Sequence, residues 1–276
     1  MKQYIAVEIK CEESLREMLM AELGEVQYDS FLETEDGLEA YAEQESFNQS
    51  QLEEILQQYG LAPADYQVQT VEEKNWNVEW EKHFTPIVVN DQCLVKATFH
   101  QIKKKYPYEI IIDPKMAFGT GHHATTYLML QWQLELELKG KSVVDAGCGT
   151  GVLSIMAKKR GANQVIAFDN NEWAVTNSQE NLELNQCSEI QLFLGTIQDV
   201  EIKQSTDIIL ANINRNVLLE EMELYVQRLS STGQLLLSGF LEADQTLIEQ
   251  RALQAGLQPV GVKYHDGWVA LLLERI

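Results

Sequence analysis

A glycine-rich turn is the first place where the residues of this chain could do chemistry. Residues 143–151 have the sequence Val-Val-Asp-Ala-Gly-Cys-Gly-Thr-Gly, an apolar strand that runs into a turn and then a helix. Glycines let a backbone approach a ligand and adopt positive φ, and a helix start offers free N–H groups. We therefore expect Gly147 and Gly149 to contact a ligand. A dinucleotide fingerprint would need a third glycine where Val152 stands, which disfavours a nicotinamide oxidoreductase.

An acidic residue follows one strand and one helix later. Asp169 ends the strand predicted at 164–169, 22 residues after Gly147. A carboxylate at this place accepts hydrogen bonds from ribose hydroxyls, and its charge disfavours a 2′-phosphate. The glycine turn and Asp169 together predict a ribose-bearing cofactor. The alternative is an ordinary tight turn beside a surface aspartate.

An uncharged amide, Asn212, ends the strand predicted at 207–212. Ligands bind outside the carboxyl ends of the strands in an open α/β sheet, where Gly147, Asp169 and Asn212 all lie. Because an amide both donates and accepts hydrogen bonds, Asn212 is suited to hold the cofactor or to orient an incoming amine. It is the one catalytic residue that we predict. The alternative is that Asn212 caps the helix predicted at 214–230.

A second glycine-containing loop precedes the next predicted helix. Residues 116–126 have the sequence Met-Ala-Phe-Gly-Thr-Gly-His-His-Ala-Thr-Thr. Glycines on both sides of Thr120 predict a mobile loop, and hydroxyl groups at a helix start suit a polar ligand. We expect Phe118 and Thr120 to contact the ligand as the loop closes over the site. The alternative is that Thr120 or Thr125 caps the helix.

Two adjacent histidines in that loop, His122 and His123, raise the question of a metal site. Neighbouring helical residues do not face one point, and no third ligand follows at a suitable spacing, so we predict no metal. Either histidine is a candidate base, but packing of the loop or contact with a substrate is the favoured role.

Strands and helices alternate through the C-terminal part of the chain, which predicts a mostly parallel, doubly wound sheet. After three short extended pieces, the predicted strands are 142–147, 164–169, 190–194, 207–212, 233–239, 258–264 and 268–274. The predicted helices are 122–137, 151–160, 171–184, 214–230 and 241–255. The short pieces are predicted at 87–89, 93–99 and 108–112. The turn signal Asp266-Gly267 joins the last two strands as a hairpin and puts an antiparallel strand at the end of the sheet.

The N-terminal part of the chain predicts a smaller α+β lobe. Its elements are predicted at 4–9 (strand), 11–23 (helix), 26–32 and 38–42 (hairpin), 47–59 (helix) and 66–71 (strand). Gly24 is the predicted stop of the first helix. The order βαββαβ is typical of a ferredoxin-like domain. We predict this domain over 1–73, a helical, tryptophan-rich linker over 74–85, and the α/β domain over 86–276.

Charge also separates the two lobes. The chain of 276 residues has a net charge of −21, and residues 1–75 hold 18 acidic and four basic side chains. Nucleic-acid binders need a basic footprint, so we expect no direct nucleic-acid partner. An acidic lobe would instead attract a basic partner. The alternative is a solvated face that aids solubility.

Two absences in the sequence bear on where the protein works. The N-terminus lacks an apolar signal segment, and no apolar run approaches the roughly 20 residues that span a bilayer. The four cysteines lie far apart without a Cys-x-x-Cys pair, so we expect reduced thiols. A cytoplasmic monomer without membrane contact is the resulting expectation.

These motifs are similar to those of a known family. The D-A-G-C-G-T-G turn with Asp169 resembles the class I S-adenosylmethionine-dependent methyltransferases. The F-G-T-G-H-H-A-T-T loop, Trp76 and Trp80 of the linker, and A-N-I after the fourth strand resemble, more narrowly, the bacterial ribosomal protein L11 methyltransferase family. The resemblance implies S-adenosyl-L-methionine as cofactor, with contacts at Thr126, Gly147, Asp169 and Asn212.

The resemblance also implies a fold and a substrate. The fold is a Rossmann-like class I methyltransferase domain, with a mostly parallel seven-stranded sheet and an antiparallel terminal hairpin, preceded by a ferredoxin-like substrate-recognition domain. Family members methylate the α-amino group and lysine ε-amino groups of ribosomal protein L11, so this basic protein is the expected partner.

Three alternatives stay open. The first is a class I methyltransferase that acts on lysines of another basic protein or on a small amine. The second is an RNA methyltransferase, which the acidic lobe disfavours; Lys103-Lys104-Lys105 is a basic run, but a short one. The third is a non-catalytic module that binds S-adenosylmethionine.

Overall fold

The chain forms two compact units, Met1–His83 and Phe84–Ile276. The structure, a computed structural model, describes residues 4–26, 28–34, 36–71, 85–113, 124–202 and 205–276. Most of the predicted linker over 74–85 lies outside the described residues, so its helix and the exact domain limits stay predictions. No helix in these described ranges is long and apolar enough to cross a membrane.

The first unit is one antiparallel sheet with two helices. Its elements are β1 (Tyr4–Lys10), α1 (Glu13–Glu25), β2 (Tyr28–Thr34), β3 (Gly37–Glu43), α2 (Gln49–Gln58) and β4 (Tyr66–Val71). The sheet order is β2-β3-β1-β4, and every neighbouring pair is antiparallel. The predicted order βαββαβ is confirmed, and the sheet order agrees with the ferredoxin-like expectation.

Period-two burial explains why β1 carries the core of this unit. Val7 and Ile9 are buried and pack in one cluster with Leu19 of α1 and Leu52 of α2. Glu8 lies between the two apolar residues and is exposed, because successive side chains of a strand point to opposite faces. The two helices therefore cover one face of the sheet, and Glu8 belongs to the other.

The second unit opens with a small three-stranded sheet and continues as alternating strands and helices. The small sheet contains β5 (Ile87–Val89), β6 (Cys93–Lys96) and β7 (Tyr108–Ile111). The first half of the main part contains α3 (Ala124–Glu135), β8 (Ser142–Ala146), α4 (Val152–Lys159), β9 (Gln164–Asp169), α5 (Glu172–Leu184) and β10 (Gln191–Leu194). The second half contains β11 (Thr206–Asn212), α6 (Arg215–Arg228), β12 (Leu229–Leu241), α7 (Gln245–Gln254), β13 (Leu257–His265) and β14 (Trp268–Arg275).

The main sheet has seven strands in the order β10-β9-β8-β11-β12-β14-β13. Strands β8 to β12 pair in parallel, whereas β14 is antiparallel to both β12 and β13. The predicted parallel sheet with a terminal antiparallel hairpin is confirmed. The antiparallel strand is second from the edge, because the hairpin folds back and leaves β13 outermost.

Several predicted element ends were wrong, among them the start of the strand predicted at 233–239, which begins at Leu229. Three of the wrong ends have local reasons. The strand predicted at 93–99 ends at Lys96, because Ala97 N–H donates to His100 Nδ1 at 3.0 Å and closes a turn. Helix α1 continues through Gly24 to Glu25, since Gly24 keeps a helical backbone instead of ending the helix. The helix predicted at 241–255 begins as a 3₁₀ turn at Glu242–Asp244 before α7.

Two apolar layers enclose the main sheet. Val143 packs in one cluster with Leu128 of α3 and Ile155 of α4, whereas Val144 packs in the other with Leu218 of α6. A strand buried on both faces must be apolar along its whole length. Polar side chains of these strands are therefore concentrated at strand ends, which is where the candidate site lies.

Candidate cofactor site

The glycine turn after β8 has the backbone that the sequence predicted. Gly147, Gly149 and Gly151 have φ angles of 69°, 55° and 77°, in the left-handed region that favours glycine. The N–H groups of Gly147 and Cys148 both donate to the Phe168 carbonyl at 2.9 Å, which holds the turn against β9. Gly151 is the N-cap of α4 and offers no side chain to satisfy the first N–H groups of that helix.

The structure brings Asp169 directly to this turn. Asp169 Oδ2 accepts from the Gly149 N–H at 2.9 Å, and Oδ1 accepts from the Asn171 N–H at 3.0 Å. Asn171 in turn caps α5 by accepting from the N–H groups of Trp173 and Ala174. Both carboxylate oxygens are thus fixed by backbone donors, and each oxygen keeps a second acceptor position. That arrangement suits a pair of hydroxyl groups.

The structure also pairs Asn212 with Thr126. The Nδ2 of Asn212 donates to Thr126 Oγ1 at 3.4 Å. Thr126 is buried in the first turn of α3, and Asn212 is half-buried at the carboxyl end of β11. The helix cap that was the alternative role for Asn212 belongs to Asn214, whose side chain accepts from the Val217 N–H at 3.1 Å.

Ile213 packs between the glycine turn after β8 and Gly239 of β12. A Cβ added to Gly147 would lie 2.3 Å from Ile213 Cγ2, and one added to Gly239 would lie 2.0 Å from the Ile213 carbonyl oxygen. Two non-bonded heavy atoms cannot approach so closely, so a residue with a Cβ would not fit at either position. Glycine on both sides is therefore what lets the segment after β11, with Asn212, lie against the cofactor turn.

Asp145 is a site residue that the sequence analysis did not assign. Its carboxyl is fully buried, Oδ2 accepts from the Ser154 hydroxyl, and Oδ1 has no hydrogen-bond partner among the described residues. Burial raises the pKa of Asp145 to about 6, so the group loses its proton as the pH approaches neutrality. A buried anionic oxygen without a partner is costly unless a donor or a cation meets it. Asp145 is the first residue of the D-A-G-C-G-T-G turn, which the sequence analysis singled out, but the sequence did not show that its carboxyl is buried.

The remaining predicted residues are placed as follows. Phe118, Thr120, His122 and His123 lie outside the described residues, so their roles stay predictions. Thr125 lies inside α3 and is buried. Across the described part of the chain, no three His, Cys, Asp or Glu side chains are grouped to hold a metal ion.

The described groups meet at the carboxyl ends of β8, β9 and β11, as expected for an open α/β sheet. A fixed carboxylate for two hydroxyls, a buried anionic oxygen and a glycine turn fit a ligand that carries a ribose and a cationic amino group. An amide and a hydroxyl lie next to that turn and can orient a polar group.

Comparisons with known proteins agree with this geometry. The family model described as ribosomal protein L11 methyltransferase (PrmA) matches residues 3–275. The ribosomal protein L11 methyltransferase of Phocaeicola vulgatus is 40% identical over 264 residues, which is 95% of this chain and 94% of that protein. The protein of the same name from Bacteroides fragilis is 42% identical over 264 residues, with the same coverage of 95% and 94%.

Two solved structures are also similar to this chain. The crystal structure of ribosomal protein L11 methylase from Lactobacillus delbrueckii subsp. bulgaricus superposes with a TM-score of 0.64 at 28% identity, covering 69% of this chain and 98% of that one. A methyltransferase structure from Pyrococcus furiosus, 20% identical with a TM-score of 0.52, covers 60% of this chain and 88% of that one and shares the fold. The match over nearly the whole chain shows that this protein belongs to the ribosomal protein L11 methyltransferase family.

Proposed function

We propose that this protein transfers methyl groups from S-adenosylmethionine to amino groups of ribosomal protein L11. The observation that carries the proposal is the Asp169 carboxylate fixed on the Gly149 N–H, one strand away from the Asp145 oxygen that has no hydrogen-bond partner in the described part of the chain. The ribose and the ammonium group are the two parts of this cofactor that those carboxylates suit. The names of the relatives support both the methyl transfer and the substrate.

The cofactor, when bound, supplies a methyl group that its sulfonium already activates. The protein's own work is then to hold the partners in line and to keep water out. In this proposal Asp169 would bind the ribose hydroxyls, and the turn at Gly147 would allow close backbone approach. The buried charge of Asp145 would attract the ammonium group without touching it.

The incoming amine must be neutral to react. At pH 7, deprotonating a lysine with a pKa near 10.4 costs about 4–5 kcal/mol of free energy, whereas deprotonating an α-amino group with a pKa near 8 costs about 1–1.5 kcal/mol. The amide of Asn212 does not ionise and cannot act as a general base. Its proposed role is to orient the amine through its side-chain oxygen while its Nδ2 is held by Thr126. We assign no general base, and we expect burial of the amine to lower its pKa.

The first unit offers a surface for a basic substrate. Glu8 of β1 lies directly opposite Glu39 of β3, on the sheet face that α1 and α2 do not cover. Two like charges directly across a sheet are destabilising. Tyr41 lies beside them, and its pKa is raised by burial and by hydrogen bonding to Glu39. A lysine-rich partner would remove the repulsion, so we propose that this face docks ribosomal protein L11.

Two measurements test this proposal. Titration calorimetry should show binding of S-adenosylmethionine to the full chain. The double substitution Glu8→Lys and Glu39→Lys should raise KM for ribosomal protein L11 several-fold at low salt, and the effect should shrink at high salt because screening weakens steering. The matched control is Glu53→Lys with Glu54→Lys on α2, which keeps the net charge change but not the position. Equal effects of the two pairs would discard the docking face.

A further inference from the structure

Three asparagines form a buried ladder on one side of α5. Asn177, Asn181 and Asn185 are spaced by four residues, which puts them on one face of the helix and its end. Their exposed fractions are 3%, 0% and 7%. Asparagine is rarely buried without hydrogen bonds, so each of these side chains needs a partner.

One set of partners is the backbone from Ile111, the last residue of β7, to Asp113. Asp113 N–H donates to Asn181 Oδ1 at 2.8 Å, and Asn177 Nδ2 donates to the Asp113 carbonyl at 2.8 Å. Asn185 accepts from the Ile111 N–H at 2.9 Å and donates to the Ile111 carbonyl at 2.6 Å. Alternate residues of this segment are thus bonded by side chains, as a neighbouring strand would bond them.

The other set of partners is the cofactor turn. Asn181 Nδ2 donates to the Thr150 carbonyl at 3.0 Å, and the Ser178 hydroxyl donates to the Gly149 carbonyl at 2.8 Å. Asn177 reaches the turn only indirectly, because its Oδ1 accepts from Asn181 Nδ2 at 3.3 Å. Within the ladder, Asn181 alone bonds both the Asp113 segment and the turn.

These bonds fix the direction of two peptide groups in the turn. In a trans peptide the C=O and the following N–H point in opposite directions. The Ser178 bond to the Gly149 carbonyl therefore directs the Thr150 N–H away from α5. In the same way, the Asn181 bond to the Thr150 carbonyl orients the Gly151 N–H, which donates to the Cys148 carbonyl at 2.8 Å.

We propose that Asn181 is a positioning residue that couples the cofactor turn to the segment Ile111–Asp113, so that the turn is preorganised for the ligand. The proposal rests on the proposed function, since the ligand is S-adenosylmethionine. Asn181 touches neither cofactor nor substrate; it acts through the Thr150 carbonyl. The competing explanation is that the ladder serves only to stabilise the unit.

The chain provides a matched control for this test. Asn185→Ala removes the same kind of side chain from the same face, but Asn185 bonds Ile111 and its own helix and does not reach the turn. Asn181→Ala removes the bond to Thr150 as well. The measurements are the Tm and, well below it, the calorimetric Kd for S-adenosylmethionine, in the full chain.

We expect both variants to lower Tm and only Asn181→Ala to raise Kd, by about tenfold, which is the effect of one lost hydrogen bond. Asn185→Ala should leave Kd within about twofold of the wild type. Asn177→Ala should raise Kd a few-fold in the wild-type background and not at all in the Asn181→Ala background, because Asn177 acts only through Asn181. If Asn181→Ala does not fold, Asn181→Ser takes its place.

Two results would overturn the coupling. One is an equal change of Kd in Asn181→Ala and Asn185→Ala; the other is an unchanged Kd in Asn181→Ala with a lowered Tm. Failure of the proposed function looks different, because the wild-type chain itself would then bind no S-adenosylmethionine, and the coupling would fall with it.

Discussion

Asn212 and Thr126, 86 positions apart in the sequence, meet through a hydrogen bond of 3.4 Å from Nδ2 to Oγ1. One residue ends a strand of the main sheet, and the other lies in the first turn of α3. The bond leaves the Asn212 side-chain oxygen as the acceptor of the pair. It therefore links the residue proposed to orient the amine to the helix that follows the F-G-T-G loop.

Thr126→Val should show whether this bond matters for catalysis. Valine keeps the shape but removes the acceptor for Asn212, so the amide loses its fixed orientation, and we expect kcat to fall about tenfold or more. Thr126→Ser restores the hydroxyl and should recover most of the activity. In an Asn212→Ala background the valine should have little further effect. Additive effects of Thr126→Val and Asn212→Ala would contradict the coupling.

Asp169→Asn should weaken cofactor binding without unfolding the protein. Hydrogen bonds to a charged group are worth about 1.5–3 kcal/mol each, so we expect Kd for S-adenosylmethionine to rise about tenfold to a hundredfold. Asp207→Asn is the matched control. Asp207 accepts from the Ser142 N–H and hydroxyl, each at 2.9 Å, at the amino ends of β8 and β11. The Asp207→Asn variant should unfold more easily but keep the wild-type Kd for S-adenosylmethionine. A similar Kd for both variants would refute the assignment of Asp169.

Asp145 should make stability and cofactor binding respond to pH in opposite directions. Its pKa is raised by burial from 3.8 to about 6, so the folded state holds the proton more tightly than the unfolded state. The resulting stabilisation is complete below about pH 3.8 and is lost as pH rises through 6, an effect of about 3 kcal/mol. Cofactor binding should strengthen over the same range, because the ionised carboxylate then attracts the ammonium group of the cofactor.

Asp145→Asn separates these effects. The variant should lose less unfolding free energy than the wild type between pH 4 and 7, measured by urea denaturation, because asparagine does not titrate. Its Kd for S-adenosylmethionine should be higher at pH 7.5 and nearly independent of pH. Wild-type and variant stability curves that run parallel would show that Asp145 does not titrate in this range.

Alanine variants of the two glycines next to Ile213 should differ in whether Ile213→Ala restores their stability. Gly147→Ala forces a side chain into the left-handed region at φ 69° and onto Ile213 Cγ2, so we expect a loss of about 2–4 kcal/mol in unfolding free energy. Ile213→Ala removes the clashing methyl and should recover part of that loss. Gly239→Ala meets the Ile213 carbonyl oxygen at 2.0 Å, which the same second substitution cannot relieve.

Gly256→Ala is the control for backbone strain alone. Gly256 has φ 86° and nothing within 4 Å of an added Cβ, so alanine there should cost about 1–2 kcal/mol. Equal rescue of Gly147→Ala and Gly239→Ala by Ile213→Ala would mean that the packing around Ile213 is not what requires glycine.

The sequence predicted the fold because its signals are local. The strand at 164–169 and the mostly parallel sheet with its terminal hairpin follow from apolar runs, turn residues and strand–helix alternation, which need no long-range information. The glycine turn and Asp169 were found for the same reason, since each is marked by its place at a strand end. The strand predicted at 93–99 ended early because of a single contact, the bond to the His100 ring that closes a turn after β6.

The parts of the site that were missed depend on burial and on distant contacts. Asp145 was visible in the motif, yet only the packed sheet shows that one of its oxygens has no partner among the described residues. The asparagines of α5 have the spacing of an ordinary polar helix face. Their role becomes visible only when the Ile111–Asp113 backbone, 64 or more positions away, lies against them.

Intact-mass spectrometry of purified ribosomal protein L11, after incubation with this chain and S-adenosylmethionine, tests the central claim most directly. We expect the substrate to gain mass in steps of one methylene unit each with the wild-type chain, and the steps to be lost with Asp169→Ala. An unchanged mass of ribosomal protein L11, with S-adenosylmethionine shown by calorimetry to be bound to the wild-type chain, would contradict the proposed substrate.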